Sequence, residues 1–223
     1  MQRKNPLVVG EYYHVFNKSI AKFRIFNTEQ EYTRMLYVIR YYQWRKIPVC
    51  FSHFCRLPQV EHSGIDHSLT CLSQENRKLV EIIAYCLMPT HLHLIVKQLA
   101  DKGISTFMGN ILNSYARYFN TTHKRLGPLW AGRFKAVLIE TNEQMLHLTR
   151  YLHLNPTTAG LVKNPAIWPY SSCREYLNNT GGCFKISGRD SSIDLPSKDY
   201  KRFMDDQIGY QKKLGLIRKL IVE

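Results

Sequence analysis

No apolar run in these 223 residues approaches the 18 or so needed to cross a bilayer, and the opening MQRKNPLVVGEYYHVF lacks the apolar core and small-residue cleavage site of a secretory leader. The chain therefore reads as cytoplasmic. Its six cysteines (Cys50, Cys55, Cys71, Cys86, Cys173, Cys183) include no CxxC pair, which argues against a disulfide framework. The stretch Cys50, His53, Cys55, His62, His67, Cys71 collects zinc-ligand types, but at the spacings of no standard site. Neither a Walker-type loop nor Gly-x-Gly-x-x-Gly occurs, so nucleotide hydrolysis has no support, and no internal repeat divides the chain. Acidic residues are scarce: 17 against 31 Lys and Arg, a formal charge of +14. Such an excess points away from small metabolites and toward a polyanion, nucleic acid first and an anionic membrane surface second.

What is present is a globular core. Hydrophobic residues make up 44% of the chain, and the length suits one domain with extensions. The stretch that organises it is Ile82 to Val96, IIAYCLMPTHLHLIV. An Ile-, Leu- and Val-rich run without glycine predicts buried strand, interrupted near Pro89, which cannot donate to a ladder. His91 to Val96 is then a strand, with His91, His93 and Ile95 on one face and Leu92, Leu94 and Val96 on the other. Two imidazoles lie side by side and can converge on one metal ion, although an isolated His-x-His is more often structural.

Taken in order, Tyr12 to Asn17 reads as a first strand and Asn27 to Trp44 as a helix opened by the capping-box pair Thr28 and Glu31. Val49 to Phe54 reads as a short β-like run, and the polar residues 56–78 as a surface loop or insertion. A helical stripe follows over Ile104 to Asn120, then a turn, then an alternating strand over Phe134 to Glu140. Thr141 with Gln144 is a second capping box, opening a helix whose apolar face uses Met145, Leu148 and Leu152 and which should end at about Asn155, before Pro156. On it His147, Tyr151 and Asn155 fall at i, i+4 and i+8, on one side. Trp168 and Tyr170 are expected to anchor the loop that follows. The last forty-odd residues begin polar and glycine-rich and end in a basic, helix-like tail.

If that helix packs on the histidine face, His91, His93 and the Asn155 carbonyl oxygen supply three ligands. A mixed nitrogen and oxygen set suits Mg2+ or Mn2+ at least as well as zinc. Tyr151, one turn before the amide, is then placed as a nucleophile able to divide a phosphoryl transfer into two easier steps. Tyr115 and Tyr118 are its rivals, but four residues beyond them stand Phe119 and Thr122 rather than an amide or acid.

Three segments in order, AYCLMPTHLHLIV, GPLWAGRFKAVLI and LTRYLHLNPTTAGLV, resemble the REP-associated tyrosine transposases, a single-tyrosine HUH family, over roughly residues 8–178. Carried across, the family's His-hydrophobic-His pair falls on His91 and His93, its catalytic tyrosine on Tyr151 and its third metal ligand on Asn155. The resemblance implies an α+β fold, a ferredoxin-like antiparallel sheet with helices packed on it and the histidines on a central strand. It also implies cleavage of single-stranded DNA near a hairpin, through a 5′-phosphotyrosyl link and a free 3′ hydroxyl, and rejoining by reversal. Residues 1–178 are then the catalytic domain, as a monomer or homodimer, and 179–223 a basic extension. Arg117, Lys124, Arg125, Arg133 and Lys135 are candidate DNA contacts. The competing expectation is a non-catalytic module that holds structured nucleic acid through its charge.

Overall fold

The computed structural model describes residues 6–74, 76–178 and 198–206. Four strands form one antiparallel sheet: β1 (Tyr12–Lys18), β2 (Val80–Met88), β3 (His91–Gln98) and β4 (Lys135–Ile139), in the order β2-β3-β1-β4. Two helical crossovers produce that order. Helix α1 (Glu29–Tyr42) carries the chain from β1 over to β2, and α5 (Gly103–Thr122) carries it from β3 over to β4, leaving β1 and β3 in the centre. This is the ferredoxin-like α+β arrangement the resemblance implied, and the histidines stand on a central strand.

Alternation along the strands gives the sheet two unlike faces. Leu92, Leu94 and Val96 join Tyr13 and Val15 on one side, where Met35, Leu36 and Ile39 of α1 and Ile104, Phe107 and Ile111 of α5 close the main core. Helix α1 starts as its sequence predicts. The Thr28 hydroxyl accepts from Glu31 N while the Glu31 carboxylate accepts from Thr28 N, a complete capping box of about 1 kcal/mol. At the start of α5, Gly103 lies so close to the Leu79 carbonyl that a Cβ would sit 2.3 Å from its oxygen. Only glycine fits that approach.

Two expectations before β2 are corrected. Instead of a β-like run, residues 51–54 form a helical turn, α2 (Phe51–Phe54), because Phe51 and Phe54 both pack on Tyr41 and Phe51 N donates to the Tyr42 hydroxyl. Rather than a loop, the polar insertion contains two helices, α3 (Pro58–Ser63) and α4 (Ile65–Gln74). Pro58 opens the first at a position where its missing N–H costs nothing. Val60 and Leu69 are buried in the main core, and Asp66 holds α4 to α1 through Tyr37 and Arg40. Polarity had hidden a sparse apolar stripe.

The opposite face, with Ile95, Ala84 and Cys86, is covered in part by α6 (Asn142–Thr158) and α7 (Cys173–Asn178), through Met145, Leu152, Leu154 and Tyr176. A helical segment over 198–206 adds Tyr200 and Met204 to this second core. The Tyr200 hydroxyl lies 2.7 Å from His153 Nδ1, and Phe203 O accepts from Arg150. The remainder of the basic tail, 207–223, and the polar stretch 179–197 lie outside the described residues. Trp168 and Tyr170 anchor their loop as expected: the indole N–H donates to Leu87 O, and Tyr170 stacks on Tyr32 at 3.7 Å. No helix among the described residues is long and apolar enough to cross a membrane.

Candidate active site

The site begins with a two-residue turn. Pro89 and Thr90 join β2 to β3, and the loop after β1 fixes their carbonyls: Pro89 O accepts from Ile25 N and Phe26 N, and Thr90 O from Ser19 N. His91 thus leaves a pinned hairpin. Its ring lies 5.0 Å from that of His93, centroid to centroid and at right angles, so the couple expected from alternation forms.

Each ring is held by one nitrogen. The Thr90 hydroxyl lies 2.9 Å from His91 Nδ1, and His14 Nε2 lies 2.9 Å from His93 Nδ1. Among the described residues no hydrogen bond engages Nε2 of either ring. Metal-binding histidines typically have this arrangement, in which a partner on one nitrogen fixes the tautomer and frees the other. Burial pushes His91 and His14 down to about 4. Burial, reinforced by its two imidazole neighbours, holds His93 well below its ordinary value. All three are neutral near pH 7, the form that can ligate.

Helix α6 brings the phenol. The Thr141 hydroxyl accepts from Gln144 N, but Gln144 reaches back to Glu140 N rather than to the cap's own N–H, so the expected capping box is half formed. Tyr151 then meets His93 edge to face, with centroids 6.2 Å apart at 86°, and remains partly open to solvent. Asn155, one turn on, is 8% exposed, and its Nδ2 is buried without a partner. The helix does not stop there. It continues through Pro156 to Thr158, because proline lacks only its own N–H while its carbonyl still accepts from Leu161 N, and Asn155 O accepts from Ala159 N. His147, on the same side one turn earlier, turns away to Arg150 and Phe203.

Of the two rival tyrosines, Tyr118 is partly exposed on α5, on the far side of the sheet from the histidines, and Tyr115 is buried. Tyr115 is fully enclosed in the main core with its hydroxyl donating to Ile25 O. Among the described residues no group of three or more His, Cys, Asp or Glu is placed to hold a metal, so any ion at the histidines needs the Asn155 amide or ligands from substrate and solvent.

Five cations were candidate DNA contacts, and they separate in space. Arg125 is engaged by the turn after α5, donating to Asn120 Oδ1, Gly127 O and Pro128 O and lying over Phe23. Arg117 is exposed on α5, behind the sheet, and Lys124 is exposed at the C-terminal end of that helix. Arg133 and Lys135, both exposed, stand at the start of β4. Lys135 pairs with Phe16, which pairs with His93, so these three share the histidine face in one cross-strand row. Lys18, opposite His91, belongs to the same rim. Sequence reading missed His14, Phe16 and Lys18. Their alternation within YYHVFNK was visible, but the register that sets them beside the histidines was not.

Residues 65–155, which include both histidines, Tyr151 and Asn155, match the family model described as Transposase IS200 like. This segment is similar to the IS200-like transposases. A solved REP-associated tyrosine transposase bound to a REP hairpin is similar in fold, with a TM-score of 0.50 over 88% of this chain and 98% of that chain, at 15% identity. The resemblance read from the three motifs is therefore borne out. A Deinococcus radiodurans R1 structure described as a candidate transposase gives a TM-score of 0.35 over 68% of this chain and 95% of that one, at 14% identity. No curated protein matches this transposase-like chain.

Proposed function

We propose that the chain is a divalent-metal-dependent DNA strand transferase that cleaves single-stranded DNA beside a hairpin through Tyr151. The observation that carries this reading is the meeting of the α6 phenol with the β3 imidazole couple, Tyr151 against His93 and His93 against His91. The hairpin partner is taken from the solved relative. The charge of +14 favours a polyanionic substrate. Residues 1–178 form the catalytic unit in this reading.

His91 and His93 would hold Mg2+ or Mn2+ through their unengaged Nε2 atoms, with the Asn155 carbonyl oxygen as third ligand. Asn155 stands one helical turn beyond Tyr151 on the same side of α6, with its side chain buried, so the helix carries the amide along with the phenol. Bound there, the ion supplies Lewis-acid polarisation of a phosphate oxygen. The Tyr151 hydroxyl attacks the phosphorus, forming a 5′-phosphotyrosyl bond and releasing the 3′ oxygen, while the phenol proton passes to solvent and the departing oxygen takes one up. Reversal of this step with another 3′ hydroxyl joins strands without external energy.

The test is incubation of the full chain with single-stranded hairpin oligonucleotides and Mg2+ or Mn2+, followed by denaturing electrophoresis. A covalent adduct should form and vanish in Tyr151→Phe. An adduct that survives in Tyr151→Phe overturns the nucleophile assignment. Salt-dependent binding with no adduct under either metal leaves a non-catalytic nucleic-acid module instead.

A further inference from the structure

Helix α6 covers only half of the histidine face. Over β2 and the middle of β3 it closes a core, whereas over the ends of β1 and β4 the face is open: Lys18, Lys135 and Val137 are exposed there, Val137 by 56%. Phe16 stands at the margin. It stacks on His14 at 4.9 Å and on His93 at 5.6 Å, at interplanar angles of 28° and 29°, yet stays partly open to solvent. An aromatic ring stacked on a metal-ligand candidate at 29°, partly open to solvent and flanked across the sheet by a lysine, has the two elements by which proteins hold single strands, a π-face for a base and a cation for the backbone.

We propose that Phe16 and Lys135 form a subsite for the nucleotide next to the scissile phosphate, its base stacked on Phe16 and its outer phosphate met by the Lys135 ammonium. The location of the scissile phosphate rests on the cleavage reading above. The row His93, Phe16, Lys135 follows from strand register, and its ends lie two strand spacings, about 10 Å, apart. The flexible lysine stem spans part of that gap, leaving the base to cover the middle residue. Lys18, opposite His91, places a second cation beside the same open surface. Charge complementarity selects the occupant: in the row a half-open aromatic is followed by a cation, on a chain of net charge +14. Nothing in this row reads a base edge, so the subsite tolerates any sequence and positions rather than specifies.

The experiment uses the full chain as non-cleaving Tyr151→Phe and a DNA hairpin with oligothymidine single-stranded flanks, read by fluorescence anisotropy. One abasic nucleotide is moved through every flank position. At one position it should weaken binding about tenfold, the loss of a single base–aromatic stack. Phe16→Leu, which keeps an apolar side chain beside His93, should weaken the intact oligonucleotide to the same extent and be indifferent to the abasic nucleotide at that position. Phe16→Trp should restore both. Lys135→Ala should lower the slope of log affinity against log salt by about 0.7, one single-strand phosphate contact. Mn2+ affinity of Phe16→Leu measured by electron paramagnetic resonance should stay unchanged.

If the abasic penalty persists undiminished in Phe16→Leu at every position, no base rests on Phe16 and the subsite is overturned. A wild-type chain that forms the adduct without this coupling keeps the cleavage reading and loses the subsite. Coupling without an adduct does the reverse.

Discussion

The two faces of the sheet use the same strands differently. Toward α1 and α5, the side chains of β1 and β3 are almost wholly enclosed: Val15, Leu92, Leu94 and Val96 are all 0% exposed, as is Tyr115 above them. Toward α6, the alternate positions carry imidazoles, a half-open phenylalanine and exposed lysines. Burial is thus nearly complete on one side of β1 and β3, while the candidate site residues stand on the other, so a strand held rigidly by the first presents the second with little freedom to lose.

Paired tyrosines break this comparison most severely. Tyr151→Phe should reduce covalent adduct at least about a thousandfold, because it removes the attacking oxygen, while thermal unfolding barely shifts. Tyr115→Phe should do the opposite, keeping the adduct and costing about 1–2 kcal/mol by leaving the Ile25 carbonyl unmet in the core. Both are checked by electrophoresis and calorimetry on the same preparations. An adduct that disappears with Tyr115 rather than Tyr151 would exchange the roles of the two faces.

Aliphatic substitutions give the next largest difference. Leu94→Ala should cost about 2–5 kcal/mol in urea unfolding, the price of a cavity on the closed face. Val137→Thr, on the open face of β4, should stay within about 0.5 kcal/mol. Equal costs would mean that something covers β4.

Acid sharpens the comparison within the second core. His153 is fully enclosed between the Tyr200 hydroxyl, the Ser172 hydroxyl and the Tyr176 ring, and burial pushes it down to about 3. Its folded value lies below the unfolded 6.5, so its contribution is whole above pH 6.5 and lost as pH falls toward 3. Wild-type stability relative to His153→Gln should therefore drop by up to about 1.4 kcal/mol for each pH unit below 6.5. A flat difference would show that the ring is solvated.

How much of this was legible beforehand follows the range of each signal. Local chemistry was: the capping box of Thr28 and Glu31, the break at Pro89, and the alternation that placed His91 beside His93. The three motifs in order carried the fold. What failed was sparse or depended on partners. The helices within residues 51–74 rest on a few buried residues such as Phe51, Val60 and Leu69, too few to outweigh a polar composition. Pro156 marks a helix end by local rules, yet hydrogen bonds beyond it carry the helix another turn. His14 and Phe16 needed the β1 to β3 register, a contact across some eighty residues of sequence.

His14 offers the finest cut, because it belongs to the open face by alternation and yet is only 9% exposed. If its Nε2 accepts the His93 Nδ1 proton, it fixes which His93 nitrogen is left for a metal, and removing that acceptor should weaken Mn2+ binding about ten- to a hundredfold. His14→Phe keeps a ring beside Phe16 and His93 but not the acceptor. His14→Gln offers an amide oxygen in its place and should recover part of the loss. At saturating Mn2+ the adduct yield of His14→Phe should return toward wild type, since the nucleophile and both imidazoles remain. Mn2+ affinity unchanged in His14→Phe would assign His14 to packing alone, and the boundary between the closed and working faces would then run between His14 and His93.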